Sequence, residues 1–173
     1  MTRPLAMQNP CTFSPDRRHR YSLDHLLPEP APEPRRAGLV MWIGLNPSTA
    51  DENQLDPTLR RIAAFSRREG FGGFVMTNLF AFRATRPADM MAARDPVGPD
   101  NDRILARTAR RCELVVAAWG AHGDFENRAE RVRRLLRGAR VVHLGCTQGG
   151  HPRHPLYVRG TTPLTPYDPP VEP

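Results

Sequence analysis

Four short segments of this chain carry side chains that could do chemistry, and the first of them follows an apolar run. The run Leu39–Leu45 leads into the tetrapeptide Gly44-Leu45-Asn46-Pro47. This pattern is typical of a buried strand that delivers one polar side chain to the carboxyl edge of a sheet, where open α/β folds bind ligands. Because the residue before a proline is biased towards extended geometry, the Asn46 amide could be held rigidly there and orient a water molecule. The alternative is an Asx turn that closes the strand.

Three further apolar runs also lead into polar or glycine-containing segments. Thr77-Asn78-Leu79 lies at the end of the second run, and Trp119-Gly120-Ala121-His122 at the end of the third. The fourth run leads into Gly145–Leu156, a loop that contains His151 and His154. Because the carboxyl ends of parallel strands meet at one edge of a sheet, we expect the four segments to form one site.

The elements that must position this site alternate along the chain. The apolar runs lie at 39–45, 74–80, 114–119 and 141–144, and the polar segments between them have helical periodicity. Such alternation predicts a three-layer α/β/α fold with a mostly parallel, four-stranded central sheet.

Three helices are expected between the strands. The first runs from about Pro57 to Glu69, with Asp56 as its N-cap, and Gly70 ends it. The second begins at Asp100 or Asn101. The third is capped by Asp124 and runs to Gly138.

Proline divides the chain into three segments. Residues 1–36 form a Pro/Arg-rich N-terminal segment, in which Arg20–Leu23 could make a short edge strand and Pro28–Pro34 a stiff, extended spacer. Residues 37–160 form the α/β domain, and residues 161–173 a Pro-rich tail. With 173 residues, 39% of them hydrophobic, one domain is expected.

The charge of the chain favours a phosphate-bearing partner. The formal net charge is +7, and every one of the 25 basic residues is arginine, whose planar fork binds phosphate through two hydrogen bonds. The bland alternative is that the absence of lysine records only the base composition of the genome. The charge therefore tilts the expected partner towards nucleic acid.

The cysteines and the hydropathy pattern argue against other classes of protein. Cys11, Cys112 and Cys146 lie far apart and form no Cys-x-x-Cys pair, so we expect no metal centre and no cofactor. No apolar run reaches the roughly 18 residues that span a bilayer, and no signal segment is evident. We expect a monomeric cytoplasmic protein without a membrane partner.

Taken together, the four segments resemble the uracil-DNA glycosylase superfamily. Gly44-Leu45-Asn46-Pro47 is similar to its water-activating motif, and Thr77-Asn78-Leu79 to the segment whose Asn reads a base edge. Ala118-Trp119-Gly120-Ala121 and His154-Pro155-Leu156 resemble its third- and fourth-strand motifs. A further likeness, carried by GLNPSTAD and HPLY, is to an uncharacterised bacterial and phage family of unknown function.

The glycosylase resemblance implies a uracil-DNA glycosylase-like core and a set of site residues. Asn46 would orient the attacking water, Asn78 would hydrogen-bond the base, and His154 would meet the charge on the departing base. The substrate-binding set would be completed by Gly44, Pro47, Ser48, Pro155 and Leu156, with Asp51, His151, Arg153 and Tyr157 as possible supplementary residues.

Three functions fit these observations. The first is a DNA N-glycosylase that acts on a damaged or modified base. The second is a hydrolase of nucleosides or nucleotides. The third is a non-catalytic nucleic-acid-binding module, favoured by the absence of an aromatic residue from Ser48 to Arg60, where the glycosylases place the ring that stacks on the base.

Overall fold

A seven-stranded mixed sheet forms the centre of the protein in a computed structural model, which describes residues 10–27, 36–49 and 55–167. The strands are β1 (Cys11–Phe13), β2 (Arg20–Leu26), β3 (Arg36–Gly44), β4 (Phe71–Asn78), β5 (Leu114–Ala117), β6 (Val141–His143) and β7 (Thr165–Pro166). Their spatial order is β1-β2-β4-β3-β5-β6-β7.

The sheet is larger than the sequence pattern predicts. Strands β4, β3, β5 and β6 are parallel to one another. The pairs β1 with β2, β2 with β4, and β6 with β7 are antiparallel. The fold class is therefore α/β with a mixed sheet. The prediction of a four-stranded sheet omitted β1 and β7 and gave β2 only as a possible short edge strand.

Both faces of the sheet are covered, which explains why the parallel strands are apolar without alternation. On one face, Trp42 of β3 packs in a cluster with Ile62 and Phe65. On the other face, the neighbouring Met41 packs in a second cluster with Leu105 and Val132. The helices are α1 (Pro57–Arg68), α2 (Pro87–Met91), α3 (Asn101–Arg111) and α4 (Arg128–Leu135).

Helix α1 begins as predicted. Asp56 is its N-cap and accepts a hydrogen bond from the Leu59 backbone N–H at 2.8 Å. Gly70, which follows the C-cap, has a φ of 86°, a conformation that glycine adopts without strain. The second of the three predicted helices is α3, which begins at Asn101. Its N-cap, Asp100, makes no side-chain capping bond. Among the described helices none is long and apolar enough to cross a membrane.

The helix expected from Asp124 begins later than predicted. Residues Ala121–Asn127 form a 3-10 segment that is broken by non-helical backbone at Phe125 and Glu126. Helix α4 starts only at Arg128, after Asn127 in the left-handed region with a φ of 55°. Asp124 therefore does not cap it.

The N-terminal segment and the tail contribute to the same sheet. Strand β2 is not the edge strand that the sequence predicts, because β1 lies outside it and β4 inside it. Strand β7 comes from the Pro-rich tail and pairs with β6. The expected spacer Pro28–Pro34 lies outside the described residues.

Candidate functional site

A cavity of about 960 Å³ lies at the carboxyl ends of β3, β4 and β5. Strand β3 has β4 on one side and β5 on the other, and α1 packs on the opposite sheet face from α3. Such a switch point opens a crevice at the strand ends, which is where open α/β sheets bind ligands. The lining residues come from seven places in the chain: Arg20 of β2, the ends of β3, β4 and β5, the segment 84–87, the start of α1, and the loop after β6.

Asn46 lies at the end of β3 and is fixed by its own amide nitrogen. Its Nδ2 donates to the Ala84 carbonyl at 2.9 Å and to the Pro47 carbonyl at 3.2 Å. Both bonds use the amide nitrogen, and no described residue donates to Oδ1. The side chain lines the cavity, so the oxygen is the atom through which it can hold a ligand or a water molecule.

Asn78 lies beside Gly44, because the parallel register pairs these two residues. Its side chain is 3% exposed and lines the cavity, and within the described residues its Oδ1 has no hydrogen-bond partner. A buried carbonyl oxygen without a donor is costly, so this atom is a strong candidate for ligand recognition. A Cβ at position 44 would lie 2.8 Å from this oxygen and 2.7 Å from Met76 Cε, which explains the glycine.

Two buried side chains hold the strand end that carries Asn78. Asn101 Nδ2 donates to the backbone carbonyls of Asn78 and Leu79, at 3.1 and 3.0 Å. Arg128, which is 1% exposed, donates from Nε to the Leu79 carbonyl at 2.8 Å. These bonds satisfy carbonyls that the end of the strand leaves without a ladder partner, so they position Asn78.

The loop after β6 places His154 in the cavity wall. The Arg153 backbone N–H donates to the Gly145 carbonyl at 2.9 Å, and Gly120 N–H donates to the Pro152 carbonyl at 2.8 Å. From α1, Arg61 Nε donates to the Pro155 carbonyl at 3.3 Å, and its NH2 group donates to the Val158 carbonyl. Hydrogen bonds therefore hold the loop after β6 within itself and join it to the end of β5 and to α1.

His154 faces the cavity as a neutral hydrogen-bond donor. The Leu156 backbone N–H donates to His154 Nδ1 at 3.2 Å, which leaves the proton of the neutral ring on Nε2. Burial lowers the pKa of His154 from its usual 6.5, and the Asp56 carboxylate partly opposes this shift. At neutral pH the ring can therefore offer an N–H to an anionic oxygen or nitrogen without transferring the proton.

This lowered pKa predicts how stability depends on pH. Below pH 6.5 His154 is protonated in the unfolded chain but is still neutral in the folded protein, where its pKa is lower. The free energy of unfolding should therefore fall as the pH drops from 6.5 through the pKa of the folded state. In urea denaturation at a series of pH values, the wild type should lose stability relative to His154→Gln between about pH 7.5 and 5. A difference between the two proteins that stays constant over this range would contradict the prediction.

Most of the predicted site residues meet in this cavity. Those that line it are Gly44, Asn46, Pro47, Ser48, Asn78, Arg153, His154, Leu156 and Tyr157. Pro155 is buried behind the wall, and His151 lies outside the lining, with its Nε2 at 4.0 Å from Asp124 Oδ2. Asp51 lies outside the described residues.

Sequence reasoning missed several contributors to the cavity, of which Arg20 and Met76 are two. Arg20 was assigned only to a short strand, yet it is 5% exposed and lines the cavity, and burial lowers the pKa of its guanidinium. Met76, 8% exposed, supplies apolar surface beside Asn78.

Aromatic surface does line the cavity, although not from the segment after Asn46. Trp119 is 3% exposed, packs in the second apolar cluster and borders the cavity. Tyr157 lies at the mouth and is 79% exposed. Within the described residues, no group of three or more His, Cys, Asp or Glu side chains is arranged to hold a metal ion.

Comparison with known proteins gives one match. The profile of a family described as "Protein of unknown function (DUF1643)" matches residues 20–156. No curated protein and no solved structure gives a significant match.

Proposed function

We propose a function for this chain, which belongs to the DUF1643 family of proteins of unknown function: it hydrolyses the N-glycosidic bond of a damaged or modified base in DNA. The observation that carries the proposal is the meeting of Asn46, Asn78 and His154 in one cavity. These are the three residues to which the resemblance to uracil-DNA glycosylases gives the water, the base edge and the leaving group.

The proposed reaction assigns one atom to each task. Asn46 Oδ1 accepts a hydrogen bond from a water molecule, whose oxygen adds to C1′ of the sugar as the bond to the base breaks. The base departs with the bonding electron pair and takes up the proton that the water releases, so the products are a free base and an abasic site. His154 Nε2–H stabilises the negative charge while it develops on the base.

Recognition of the base falls to Asn78 and the apolar surfaces around it. The buried Oδ1 of Asn78 would accept a hydrogen bond from an N–H on the base edge, which would satisfy an otherwise unpaired atom. Met76 and the edge of Trp119 offer apolar surface to the ring. A base must leave the duplex stack to reach such a pocket.

Two exposed apolar side chains at the mouth suit this extrusion. Leu156 is 44% exposed and Tyr157 is 79% exposed, and both line the cavity. Apolar side chains of this kind can insert into a base step and partly compensate for the lost stacking. Leu156 and Tyr157 come two and three residues after His154, which supports a role for them beside the proposed leaving-group site.

A non-catalytic nucleic-acid-binding module is the second candidate. The observation that favours it is the use of Asn46 Nδ2 to hold the Ala84 and Pro47 carbonyls, which gives this residue a structural role as well. In that case the cavity would bind a base and release none. A nucleoside or nucleotide hydrolase would use the same three residues on a smaller substrate.

One experiment separates these functions. Purified protein is incubated with oligonucleotides that contain uracil, mismatched or modified bases, and abasic sites are cleaved and counted; nucleosides and nucleotides are tested in parallel for release of free base. We expect abasic sites with at least one oligonucleotide, and formation of these sites on the order of 10²-fold slower with the Asn46→Ala variant prepared identically. Base release from nucleosides or nucleotides alone would favour the small-substrate hydrolase. Binding without release in every arm would favour the binding module.

A further inference from the structure

A cluster of three arginines adjoins the cavity on the side of β2. We call Arg17, Arg20 and Arg83 the arginine cluster. Arg17 and Arg83 share one aromatic ring, with their Cζ atoms at 3.9 and 5.2 Å from the centre of the Phe13 ring. Arg20 reaches the cavity itself.

Backbone contacts fix the cluster before any ligand arrives. Arg83 NH1 donates to the Arg17 carbonyl at 3.2 Å, and the Arg83 backbone N–H donates to the Arg18 carbonyl at 2.9 Å. Arg17 has a φ of 58°, a conformation that places it at the turn between β1 and β2. The Arg83 side chain, held in this way, loses little conformational entropy when it binds an anion.

The three guanidinium groups act on a common environment. Burial raises the pKa of the Cys11 thiol, and Arg20, Arg17 and Arg83 each lower it. Burial also lowers the pKa of Arg20, and Arg83 adds to that shift by repulsion. Like charges held this close together favour the binding of an anion between them.

The cluster is continuous with the wall that holds Asn46. Asn46 Nδ2 donates to the Ala84 carbonyl, and the Ala84 backbone N–H donates to the Pro47 carbonyl at 3.0 Å. Arg83 is the residue directly before Ala84. A phosphate bound to the cluster would therefore lie next to the sugar whose base occupies the cavity.

The described acidic residues near the cluster have partners of their own. Asp16 accepts hydrogen bonds from the Ser14 hydroxyl at 2.7 Å and from the Arg18 backbone N–H at 3.1 Å. Asp56 caps α1. Asp24 forms a two-pronged ion pair with Arg111, both distances being 2.9 Å.

We propose that the arginine cluster is a phosphate subsite, which binds the phosphate attached to the nucleotide whose base enters the cavity. This inference rests on the proposed function for the location of the base. It adds the substrate class: the ligand carries a phosphate, either as a phosphodiester in a strand or as a free nucleotide. Arginine is suited to this role because its fork donates two parallel hydrogen bonds to phosphate oxygens.

The test compares two double variants that remove the same charge. R17Q/R83Q removes two arginines of the cluster. R137Q/R140Q removes two exposed arginines just before β6, at the opposite edge of the parallel sheet from the cavity. R17Q alone, at an exposed position, serves as the cluster variant if the double variant does not fold.

Affinity for a short labelled single-stranded oligonucleotide is measured between about 50 and 200 mM salt. We expect R17Q/R83Q to bind on the order of tenfold more weakly. Its plot of log K against log[salt] should be shallower by about 0.7 for each phosphate that the variant no longer neutralises. A deoxynucleoside monophosphate and its nucleoside then compete with the oligonucleotide. If the monophosphate competes better than the nucleoside with the wild type but not with R17Q/R83Q, a free nucleotide is sufficient for the subsite. If the substitutions change only the affinity for the oligonucleotide, the subsite binds a phosphodiester.

Equal affinities and slopes for R17Q/R83Q and R137Q/R140Q would overturn the phosphate subsite. Failure of the subsite and failure of the proposed function give different results. If the base is released but R17Q/R83Q and R137Q/R140Q bind with equal affinity, only the subsite is overturned. Cluster-dependent binding without base release on any substrate would remove the hydrolysis and leave the subsite. Absence of binding to all three probes by the wild type would overturn both.

Discussion

The Asn46→Ala variant is expected to release the base on the order of 10²-fold more slowly than the wild type, or slower still. The variant loses the Oδ1 atom that would hold the attacking water in line with the sugar. Asn46 lies at the exit of β3 rather than in either apolar cluster, so the fold and the affinity for the substrate should change little. Single-turnover rates with excess protein report the loss directly.

The control for this variant must distinguish the loss of the water-binding oxygen from the loss of a contact that anchors the loop after β3. Asn46 Nδ2 joins the loop after β3 to the segment after β4, and Thr49 Oγ1 joins the same two segments through Thr85 Oγ1 at 3.0 Å. Thr49→Val breaks that second bond and leaves the amide in place. We expect a nearly wild-type rate for Thr49→Val. Equal losses in the two variants would mean that Asn46 acts by anchoring the loop, and a wild-type rate for Asn46→Ala would move the reacting centre elsewhere.

The position of Asn46, Asn78 and His154 could be predicted because it depends on local patterns. Each residue comes at or after the end of an apolar run, and parallel strands bring their carboxyl-terminal residues to one edge of the sheet. The start of α1 could also be predicted from a local pattern, since Asp56-Pro57 is an N-cap followed by a proline at the first helical position. These features need no knowledge of which strands become neighbours.

Arg20 could not be placed in the site because its position depends on pairing across the chain. Strand β2 pairs antiparallel with β4, from Leu23 with Met76 to Leu26 with Gly73, and nothing within β2 specifies that partner. The same holds for β7, whose two residues pair with β6. The place of these flanking strands is decided by tertiary contacts.

The late start of α4 has a different cause. Asp124 followed by an apolar stripe is a reasonable N-cap pattern, but Gly123 is packed against the Trp119 indole, where a Cβ would lie 2.1 Å from Cδ1. This contact holds residues 121–127 as a 3-10 segment beside the cavity. Packing at the end of β5 therefore outweighs the local capping signal.

The residues that position Asn78 could not be identified from the sequence either. Asn101 and Arg128 reach its strand end from α3 and α4, which are more than twenty residues away along the chain. Asn101 is read from the sequence only as a residue at the start of a helix, and Arg128 only as one of many arginines. Their burial reverses that interpretation, because a buried guanidinium must have partners.

The two histidines of the loop after β6 are expected to differ sharply when each is replaced by alanine. His154→Ala should lower the single-turnover rate by on the order of 10²-fold, because it removes the Nε2–H that faces the charge on the departing base. His151→Ala should change the rate far less, since His151 does not line the cavity and its Nε2 lies 4.0 Å from Asp124 Oδ2. Neither change should alter the affinity for DNA much.

His151→Ala is a matched control because the two residues share their local setting. Both precede a proline in the same loop, and both are half-buried. His154→Gln adds a second comparison, since its amide nitrogen can reach the place of Nε2 and restore part of the rate, which a merely structural role would not predict. Equal losses for the two alanine variants would assign His154 to the ordering of the loop. A larger loss for His151→Ala would overturn the leaving-group assignment, because the residue aligned with the glycosylase histidine would then not be the one that meets the charge.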